Sequence, residues 1–227
     1  MKEEIFIFGN GETAEMANYY FAKDSRYSVV GFTVDDEHCF TESFLGLPLV
    51  TWSSFNDSSK KKSRKLHIAL SYRRMNEIRH EKFLTATKNP NIELVSYISS
   101  RSYVADSVKL GKNLMILENQ VIQNNVSISD NVMLWSGNHI GHGTTIGIST
   151  YLASHVVISG HSKIGNKCFF GVNSATRDFI KVGDSCLVGM NAGVTQDMPS
   201  NSVILSSQSI LFEGEKAIRI QQKATGI

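Results

Sequence analysis

The sequence has few cysteines, no long hydrophobic run and almost no net charge. Three cysteines among 227 residues, an odd number without paired spacing, argue against a disulfide framework and fit reduced thiols. The longest apolar stretches, such as residues 5–8, are far shorter than the ~20 residues of a membrane-spanning helix. A formal charge of +2 gives no electrostatic reason to expect nucleic acid as a partner. We therefore expect a cytoplasmic protein that binds neither nucleic acid nor membranes.

A six-residue repeat fills the sequence from Val104 onward. An aliphatic residue, or once an aromatic one, returns at every sixth position as far as Val194, with Thr176 as the exception, and glycine often follows it. Neither a helix nor a hairpin sheet keeps this period over such a length, because each would need its own turn and breaker signals. The repeat therefore predicts a coil of short parallel strands. The aliphatic positions are Leu110, Ile116, Ile122, Ile128, Leu134, Ile140, Ile146, Leu152, Ile158, Ile164, Val182 and Val188, and the aromatic Phe170 takes the same place in its hexad.

The N-terminal third has the pattern of a small α/β domain. Residues 5–8, 29–34 and 66–72 are apolar strand candidates, and a helical pattern follows the first and the third of them. Strands that alternate with helices are typical of a parallel sheet, so we predict one βαβ sheet that ends near Ile98. Two βαβ halves are usually needed to bind NAD, and this segment provides one. A single nucleotide moiety is therefore the better fit.

Glycines and acidic residues follow the first two predicted strands. Gly9, Asn10 and Gly11 begin a Gly-x-Gly-x-x-Ala turn, in which glycine allows close backbone approach and the following helix offers free N–H groups to a phosphate. Asp35 and Asp36 follow the second strand, where carboxylates can accept hydrogen bonds from a ribose or a base. We predict that these five residues bind a nucleotide. In the alternative interpretation, the glycines only close a turn and the aspartates lie in a loop.

The two patterns together resemble the sialic-acid O-acetyltransferase family of hexapeptide-repeat acyltransferases, which includes N-acetyltransferases of nucleotide-linked 4-amino sugars. The resemblance covers nearly the whole chain. It implies a Rossmann-like domain over residues 1–98 that binds the nucleotide sugar, a left-handed parallel β-helix acyltransferase domain over residues 99–205, and a C-terminal tail over residues 206–227. It also implies a homotrimer that receives acetyl-CoA between neighbouring subunits and needs no metal.

The resemblance also implies the catalytic residues. The general base of the family is a histidine four residues before the Ile-Gly of a hexad, which is His142 in this sequence. A backbone amide from the next coil polarises the thioester carbonyl, and this position matches Gly160, 18 residues after the histidine. Many relatives carry an acidic residue after the histidine, whereas this chain has Gly143. We therefore predict that Asn124 or Asn138 orients the imidazole instead.

The predicted activity is transfer of an acetyl group from acetyl-CoA to a nucleotide-linked amino sugar for surface-glycan biosynthesis. His142 acts as the base in a direct attack, and His155, Gly160 and His161 line the cofactor groove. Three alternatives stay open: O-acetylation of sialic acid or a related sugar, a zinc enzyme of the carbonic-anhydrase type with histidines shared between subunits, and a non-catalytic nucleotide-sugar binder. Stoichiometric zinc would favour the second, and binding without release of CoA would favour the third.

Overall fold

A computed structural model describes residues 2–57, 59 and 63–208 of the chain. An N-terminal α/β layer is followed by a column of short parallel strands. The predicted C-terminal tail lies outside the described residues from residue 209 onward. Within the described part of the chain, no helix is long and apolar enough to cross a membrane.

The N-terminal layer alternates strands with helices, as the sequence predicts. Its elements in the described ranges are β1 Glu3–Phe8, α1 Glu12–Lys23, β2 Tyr27–Val34, a 3₁₀ turn Asp36–His38, β3 Ser43–Phe44, β4 Leu47–Thr51, α2 Trp52–Phe55, β5 Arg64–Ile68, α3 Glu77–Thr87 and β6 Ile92–Leu94.

The strands of this layer form one sheet in the order β3-β4-β2-β1-β5-β6. The sheet is mixed, because the short edge strand β3 pairs antiparallel with β4 whereas the other neighbours pair in parallel. Ile5 and Ile7 of β1 are fully buried, and Ala14, Ala17 and Phe21 of α1 pack against them. The apolar face predicted for α1 is therefore the face that covers the sheet.

The rest of the described chain consists of two-residue strands. They are β7 Tyr97–Ile98, β8 Tyr103–Val104, β9 Lys109–Leu110, β10 Met115–Ile116, β11 Val121–Ile122, β12 Ser127–Ile128, β13 Met133–Leu134, β14 His139–Ile140, β15 Thr145–Ile146, β16 Tyr151–Leu152, β17 Val157–Ile158, β18 Lys163–Ile164, β19 Phe169–Phe170, β20 Ala175–Thr176, β21 Lys181–Val182, β22 Leu187–Val188, β23 Gly193–Val194 and β24 Val203–Ile204.

These strands form the three faces of a prism. Face 1 contains β7, β10, β13, β16, β19, β22 and β24, face 2 contains β8, β11, β14, β17, β20 and β23, and face 3 contains β9, β12, β15, β18 and β21. Successive layers pair in parallel, so that Ile122 lies beside Ile140 and Ile140 beside Ile158. All three side chains are fully buried in the interior. The predicted parallel β-helix is confirmed, and its stacked sheets match the left-handed form.

The N-terminal layer packs on face 1 of the β-helix. Tyr97, Met115, Met133 and Tyr151, which point outward from this face, belong to the same buried cluster as Ile7 of β1. Apolar side chains on the outside of the prism are thereby removed from water, and each contributes about 1.5–3 kcal/mol when fully buried. The two parts of the chain therefore share one hydrophobic contact surface.

A buried arginine joins α3 to the edge of the β-helix. Arg79 is 1% exposed, and its guanidinium donates to the Asn131 carbonyl, to the Ser149 carbonyl at 2.9 Å and to Asn76 Oδ1 at 2.9 Å. Asn76 in turn donates to the Cys168 carbonyl at 3.0 Å. Burial lowers the pKa of Arg79 to about 10, so the group remains charged at neutral pH. These contacts fix α3 against three successive coils.

We expect Arg79→Ala to lower the free energy of unfolding by about 3 kcal/mol, because it leaves buried carbonyl oxygens without their charged donor. Arg74→Ala is the matched control, since the Arg74 side chain is 68% exposed and forms a surface ion pair with Glu77; such surface pairs contribute about 0.5 kcal/mol or less. Urea unfolding at fixed protein concentration measures both values. Equal losses for the two variants would contradict the role of Arg79.

Candidate functional site

The candidate base lies at a corner of the prism. His142 is in the turn between β14 on face 2 and β15 on face 3, and its side chain is exposed. The backbone of this turn is held by the next coil, because the His142 carbonyl accepts from the His161 N–H at 2.8 Å and the Gly141 N–H donates to the Ile158 carbonyl at 2.7 Å. The imidazole therefore projects into solvent from a rigid turn.

Gly160 lies directly against the imidazole, at the place that the repeat predicts. A Cβ on Gly160 would lie 2.8 Å from His142 Cε1 and 3.2 Å from Nε2, so the glycine leaves room where any side chain would collide. Gly160 is buried, yet no described residue accepts a hydrogen bond from its N–H. Buried backbone donors are nearly always paired. This N–H is therefore available to a ligand beside the histidine.

The imidazole has a neighbour that the sequence analysis did not predict. Gln123 Oε1 lies 3.2 Å from His142 Nδ1 and accepts from the His142 N–H at 2.9 Å. The predicted orienting residue Asn138 is instead buried, where it donates to the Trp135 carbonyl and accepts from the Val156 N–H at 2.7 Å. The side chain of Asn138 is thus committed to the prism backbone rather than to the imidazole.

Asn124, the other predicted orienting residue, is exposed. Its carbonyl accepts from the Gly143 N–H at 3.1 Å, and among the described residues no hydrogen bond joins its side chain to His142. The prediction that Asn124 orients the imidazole was therefore wrong by one position. Gln123 makes the contact instead, because its longer side chain reaches diagonally to the next coil.

His161 packs beside the candidate base. Its ring makes an edge contact with His142, with 4.7 Å between centroids, and stacks on Phe179 at 5.0 Å. It also covers Gly143, where a Cβ would lie 2.6 Å from His161 Nδ1 and where the backbone has a φ of +66°. The space that a side chain at position 143 would need is therefore filled by the His161 ring. The positive φ alone does not exclude a side chain, because His161 and Phe179 adopt it at the equivalent positions of later hexads.

His155 lies at a different corner from His142. It follows β16 and precedes β17, so it is in a turn between faces 1 and 2, and its ring covers Gly137. The structure thus brings His161 and Gly160 to the candidate base but leaves His155 apart from them. Its predicted contact with the cofactor stays a prediction.

A cleft of about 830 Å³ opens at the carboxyl ends of β1, β2 and β5. Gly9, Asn10, Gly11 and Asp35 line it, as the sequence analysis predicts for a nucleotide site. Gly9 has a φ of +126°, and a Cβ there would lie 2.9 Å from the Ala69 carbonyl oxygen. Gly11 caps α1 without a side-chain hydrogen bond. The Ala14 and Glu15 N–H groups donate to the Gly11 carbonyl, whereas those of Glu12 and Thr13 have no acceptor among the described residues and are open to an anion in the cleft.

The two acidic residues after β2 have different surroundings. Asp35 lines the cleft and forms an ion pair with Lys82, whose ammonium lies 4.6 Å from the ring centroid of Phe8. Asp36 is outside the residues that line the cleft, and its Oδ1 accepts from the Ser53 N–H at 3.0 Å. This hydrogen bond lowers the pKa of Asp36. Asp36 therefore caps the first turn of α2.

The cleft also contains residues that the sequence analysis missed. Tyr72 and Arg73 follow β5, and Trp135 and Tyr151 come from face 1 of the β-helix. Tyr72 packs edge-on against Tyr151, with 5.1 Å between ring centroids. Arg73 could have been found from the sequence, because loops after parallel strands converge at one edge of the sheet. Trp135 and Tyr151 could not have been found in this way, since their position depends on how the β-helix packs on the sheet.

The cleft and the candidate base lie on different sides of one chain. The cleft borders face 1, whereas His142 is at the corner between faces 2 and 3. Two of the cysteines are inaccessible: Cys168 and Cys186 are buried inside the prism, and burial raises the pKa of Cys168 to about 12. Cys39 is partly exposed in the N-terminal layer. No group of three or more His, Cys, Asp or Glu side chains in the described ranges is arranged to hold a metal ion.

The fold occurs in solved sugar acetyltransferases. Perosamine N-acetyltransferase from Caulobacter crescentus, crystallised with CoA and GDP-perosamine, matches with a TM-score of 0.79 at 20% identity, over 89% of this chain and 93% of that one. The acetyltransferase domain of PglB from Neisseria gonorrhoeae, in complex with acetyl coenzyme A, matches with a TM-score of 0.79 at 17% identity, over 91% and 97%. This chain has their fold.

A third solved structure, WeeI from Acinetobacter baumannii, matches with a TM-score of 0.54 at 15% identity, over 89% of this chain and 97% of that one. No family model matches the sequence, and no curated protein matches it. The similarity is therefore one of architecture, and it covers both the N-terminal layer and the β-helix.

We expect Gly160→Ala to displace the imidazole of His142, because the added methyl group would lie 2.8 Å from Cε1, well inside the ~3.5 Å contact distance of carbon atoms. Imidazole NMR signals of His142 should shift. Gly193→Ala is the matched control, since a Cβ there meets no atom within 4 Å. Unchanged signals in the Gly160 variant would contradict the close approach of this glycine to the ring.

Proposed function

We propose that the protein is an acetyl-CoA-dependent sugar acetyltransferase that N-acetylates a nucleotide-linked amino sugar for surface-glycan biosynthesis. The observation that carries the proposal is the contact between His142 and Gly160, where an exposed imidazole adjoins a buried N–H with no acceptor among the described residues. The shared fold with perosamine N-acetyltransferase and the PglB acetyltransferase domain supports the reaction class.

The geometry fits direct transfer from a thioester to an amine. His142 accepts a proton from the sugar amine, whose nitrogen attacks the acetyl carbonyl carbon of acetyl-CoA. The carbonyl oxygen gains negative charge in the tetrahedral intermediate, and the Gly160 N–H donates to it; such a donor contributes about 3 kcal/mol in other acyl-transfer enzymes. Collapse of the intermediate breaks the carbon–sulfur bond, and the imidazolium returns its proton to the CoA thiolate. No metal takes part in these steps.

The N-terminal cleft is the proposed site of the nucleotide. The α1 N-terminus beyond Gly9 and Gly11 offers N–H groups to a diphosphate, and the exposed guanidinium of Arg73 adds positive charge at the cleft. Asp35 can accept from a ribose or base while it remains paired with Lys82. Asn10 borders the same cleft. We do not assign Asp36 to the nucleotide site, because its carboxylate accepts a hydrogen bond from the first turn of α2.

The placement of the two half-sites supports a homotrimer. Since the cleft borders face 1 and His142 lies at the opposite corner, a sugar held by one subunit can reach a base only on a neighbouring subunit. Face 2 offers apolar contact surface, because Val121 and Val157 point outward and are 41% and 38% exposed. Acetyl-CoA would enter the groove between subunits, next to Gly160 and His161, with His155 at the adjacent corner between faces 1 and 2.

The proposed domain boundaries are those of the sequence analysis. Residues 1–98 form the Rossmann-like nucleotide-sugar-binding domain, residues 99–205 form the acyltransferase domain, and residues 206–227 form a tail. The strand β7 Tyr97–Ile98 already belongs to face 1, whereas β6 Ile92–Leu94 belongs to the N-terminal sheet, so the change from one domain to the other takes place between these two strands, just before residue 98.

A thiol-release assay tests the function. Purified protein is incubated with acetyl-CoA and a panel of GDP-, UDP- and dTDP-linked 4-amino sugars, with free sialic acid as the O-acetylation arm. Release of CoA with one nucleotide-linked amino sugar, and an N-acetylated product by mass spectrometry, is the expected result. Release with sialic acid alone would replace N-acetylation by O-acetylation, and binding without release with every compound would contradict an enzyme.

With the substrate identified, His142→Ala is expected to lower turnover by about 10²–10⁴, the range typical of removing a general base. The side chain is exposed, so the variant should keep the secondary structure and the oligomeric state of the unmodified protein, which circular dichroism and light scattering measure. Unchanged turnover would remove His142 from the mechanism.

A further inference from the structure

Gln123 contacts the candidate base from the coil that precedes it. Its Oε1 accepts from the His142 N–H at 2.9 Å and lies 3.2 Å from His142 Nδ1. A backbone N–H can only donate, so the atom of Gln123 that faces it is the amide oxygen and not the amide nitrogen. The orientation of the Gln123 amide is therefore set by the main chain, independently of the imidazole.

The same oxygen determines which ring nitrogen carries the proton. An amide oxygen has no hydrogen to give, so the contact with Nδ1 is a hydrogen bond only if Nδ1 is the donor. A neutral imidazole has one N–H, which leaves the lone pair on Nε2. We propose that Gln123 is a positioning residue that holds His142 in the Nδ1–H tautomer and makes Nε2 the atom that accepts the substrate proton. This inference rests on the proposed function for the role of His142 as base.

The regular architecture of the prism explains why Gln123 is needed. At another corner, the Ile148 N–H donates to the side chain of Asn166, which lies 18 residues later in the next coil. The residue 18 positions after His142 is Gly160, which has no side chain to accept. The glycine that leaves room beside the imidazole thus also removes the regular partner of the His142 N–H. Gln123, which lies in the preceding coil, accepts the hydrogen bond from the His142 N–H instead.

A neutral partner has a chemical consequence. A carboxylate in the position of Gln123 would both orient the ring and favour the imidazolium, whereas an amide orients the ring without adding charge. His161 is the titratable side chain in ring contact with His142, and it contributes no negative charge. The base is therefore held in place by hydrogen bonding to a neutral group.

The test begins with the tautomer, which can be measured without substrate. In nitrogen-labelled protein, the imidazole NMR signals of His142, assigned by their loss in His142→Ala, should report a protonated Nδ1. Gln123→Ala should abolish this preference. Asn166→Ala is the matched control, because it removes the same kind of hydrogen bond from a turn without an imidazole, and it should leave the His142 signals unchanged.

Activity provides the second readout. With the substrate from the panel, Gln123→Ala should lower kcat by about 10- to 100-fold, as loss of a group that fixes a histidine tautomer does, while KM for both substrates changes by about twofold or less. Gln123→Glu should restore most of kcat, since a carboxylate accepts both hydrogen bonds. It should also move the acidic limb of the kcat profile to higher pH, because the negative charge favours the imidazolium and raises the pKa of His142.

Several results would overturn the inference. An Nε2–H tautomer in the unmodified protein, or an unchanged Nδ1–H preference in Gln123→Ala, would show that the side chain does not set the tautomer. Equal losses of kcat in the Gln123 and Asn166 alanine variants would reduce Gln123 to a structural support of the turn. If no compound in the panel releases CoA, the proposed function fails, and the NMR comparison still decides the role of Gln123.

Discussion

The candidate chemistry depends on the parallel hydrogen-bond ladder that stacks one coil of the prism on the next. This ladder fixes a spacing of 18 residues between side chains in contact, as in the pair Ile140 and Ile158. At the corner between faces 2 and 3, the same ladder puts the His161 N–H on the His142 carbonyl at 2.8 Å. An imidazole and a free backbone donor thereby meet without any flexible loop to hold them.

The corner also shows how one small residue serves two purposes. Gly160 is the residue that the ladder places under His142, and its lack of a side chain leaves room beside the imidazole, where its own buried N–H has no acceptor among the described residues. The same lack of a side chain leaves the His142 N–H without the partner that other turns use. The contact from Gln123 compensates for this gap. Preorganised donors of this kind cost no rearrangement during a reaction.

The N-terminal layer adds the second half of the candidate site and is held rigidly on the prism. The buried guanidinium of Arg79 ties α3 to carbonyls of the β-helix, and aromatic contacts such as Tyr72 with Tyr151 close the wall of the cleft. The cleft is therefore built from both parts of the chain. The proposed site is shared between subunits because the cleft borders face 1, whereas His142 lies at the opposite corner of the prism.

Sequence reasoning predicted the elements that depend on periodicity. The six-residue repeat predicts the coil of short parallel strands, and the resemblance to the hexapeptide-repeat acyltransferases adds three hexads per coil. The contact of His142 with Gly160 then follows from counting 18 residues along one regular ladder. The repeat did not predict Gln123, since a long side chain can reach diagonally to a residue outside the 18-residue spacing.

The remaining failures have a similar cause. Asn138 was expected at the imidazole but is buried on backbone groups of Trp135 and Val156, and Asp36 was expected in the cleft but caps α2. In both residues a short polar side chain forms hydrogen bonds with nearby backbone groups. Which backbone groups it reaches depends on local geometry and not on the repeat. The position of Trp135 in the wall of the cleft depends on how the two domains pack together, which no local sequence pattern encodes.

A crystal structure of the protein with acetyl-CoA bound tests the central claim most directly. The account predicts that the thioester carbonyl oxygen lies about 3 Å from the Gly160 nitrogen, the distance at which an amide stabilises an oxyanion, with His142 Nε2 facing the side from which the amine attacks. A carbonyl oxygen bound to any other donor, with Gly160 turned away from the thioester, would contradict it.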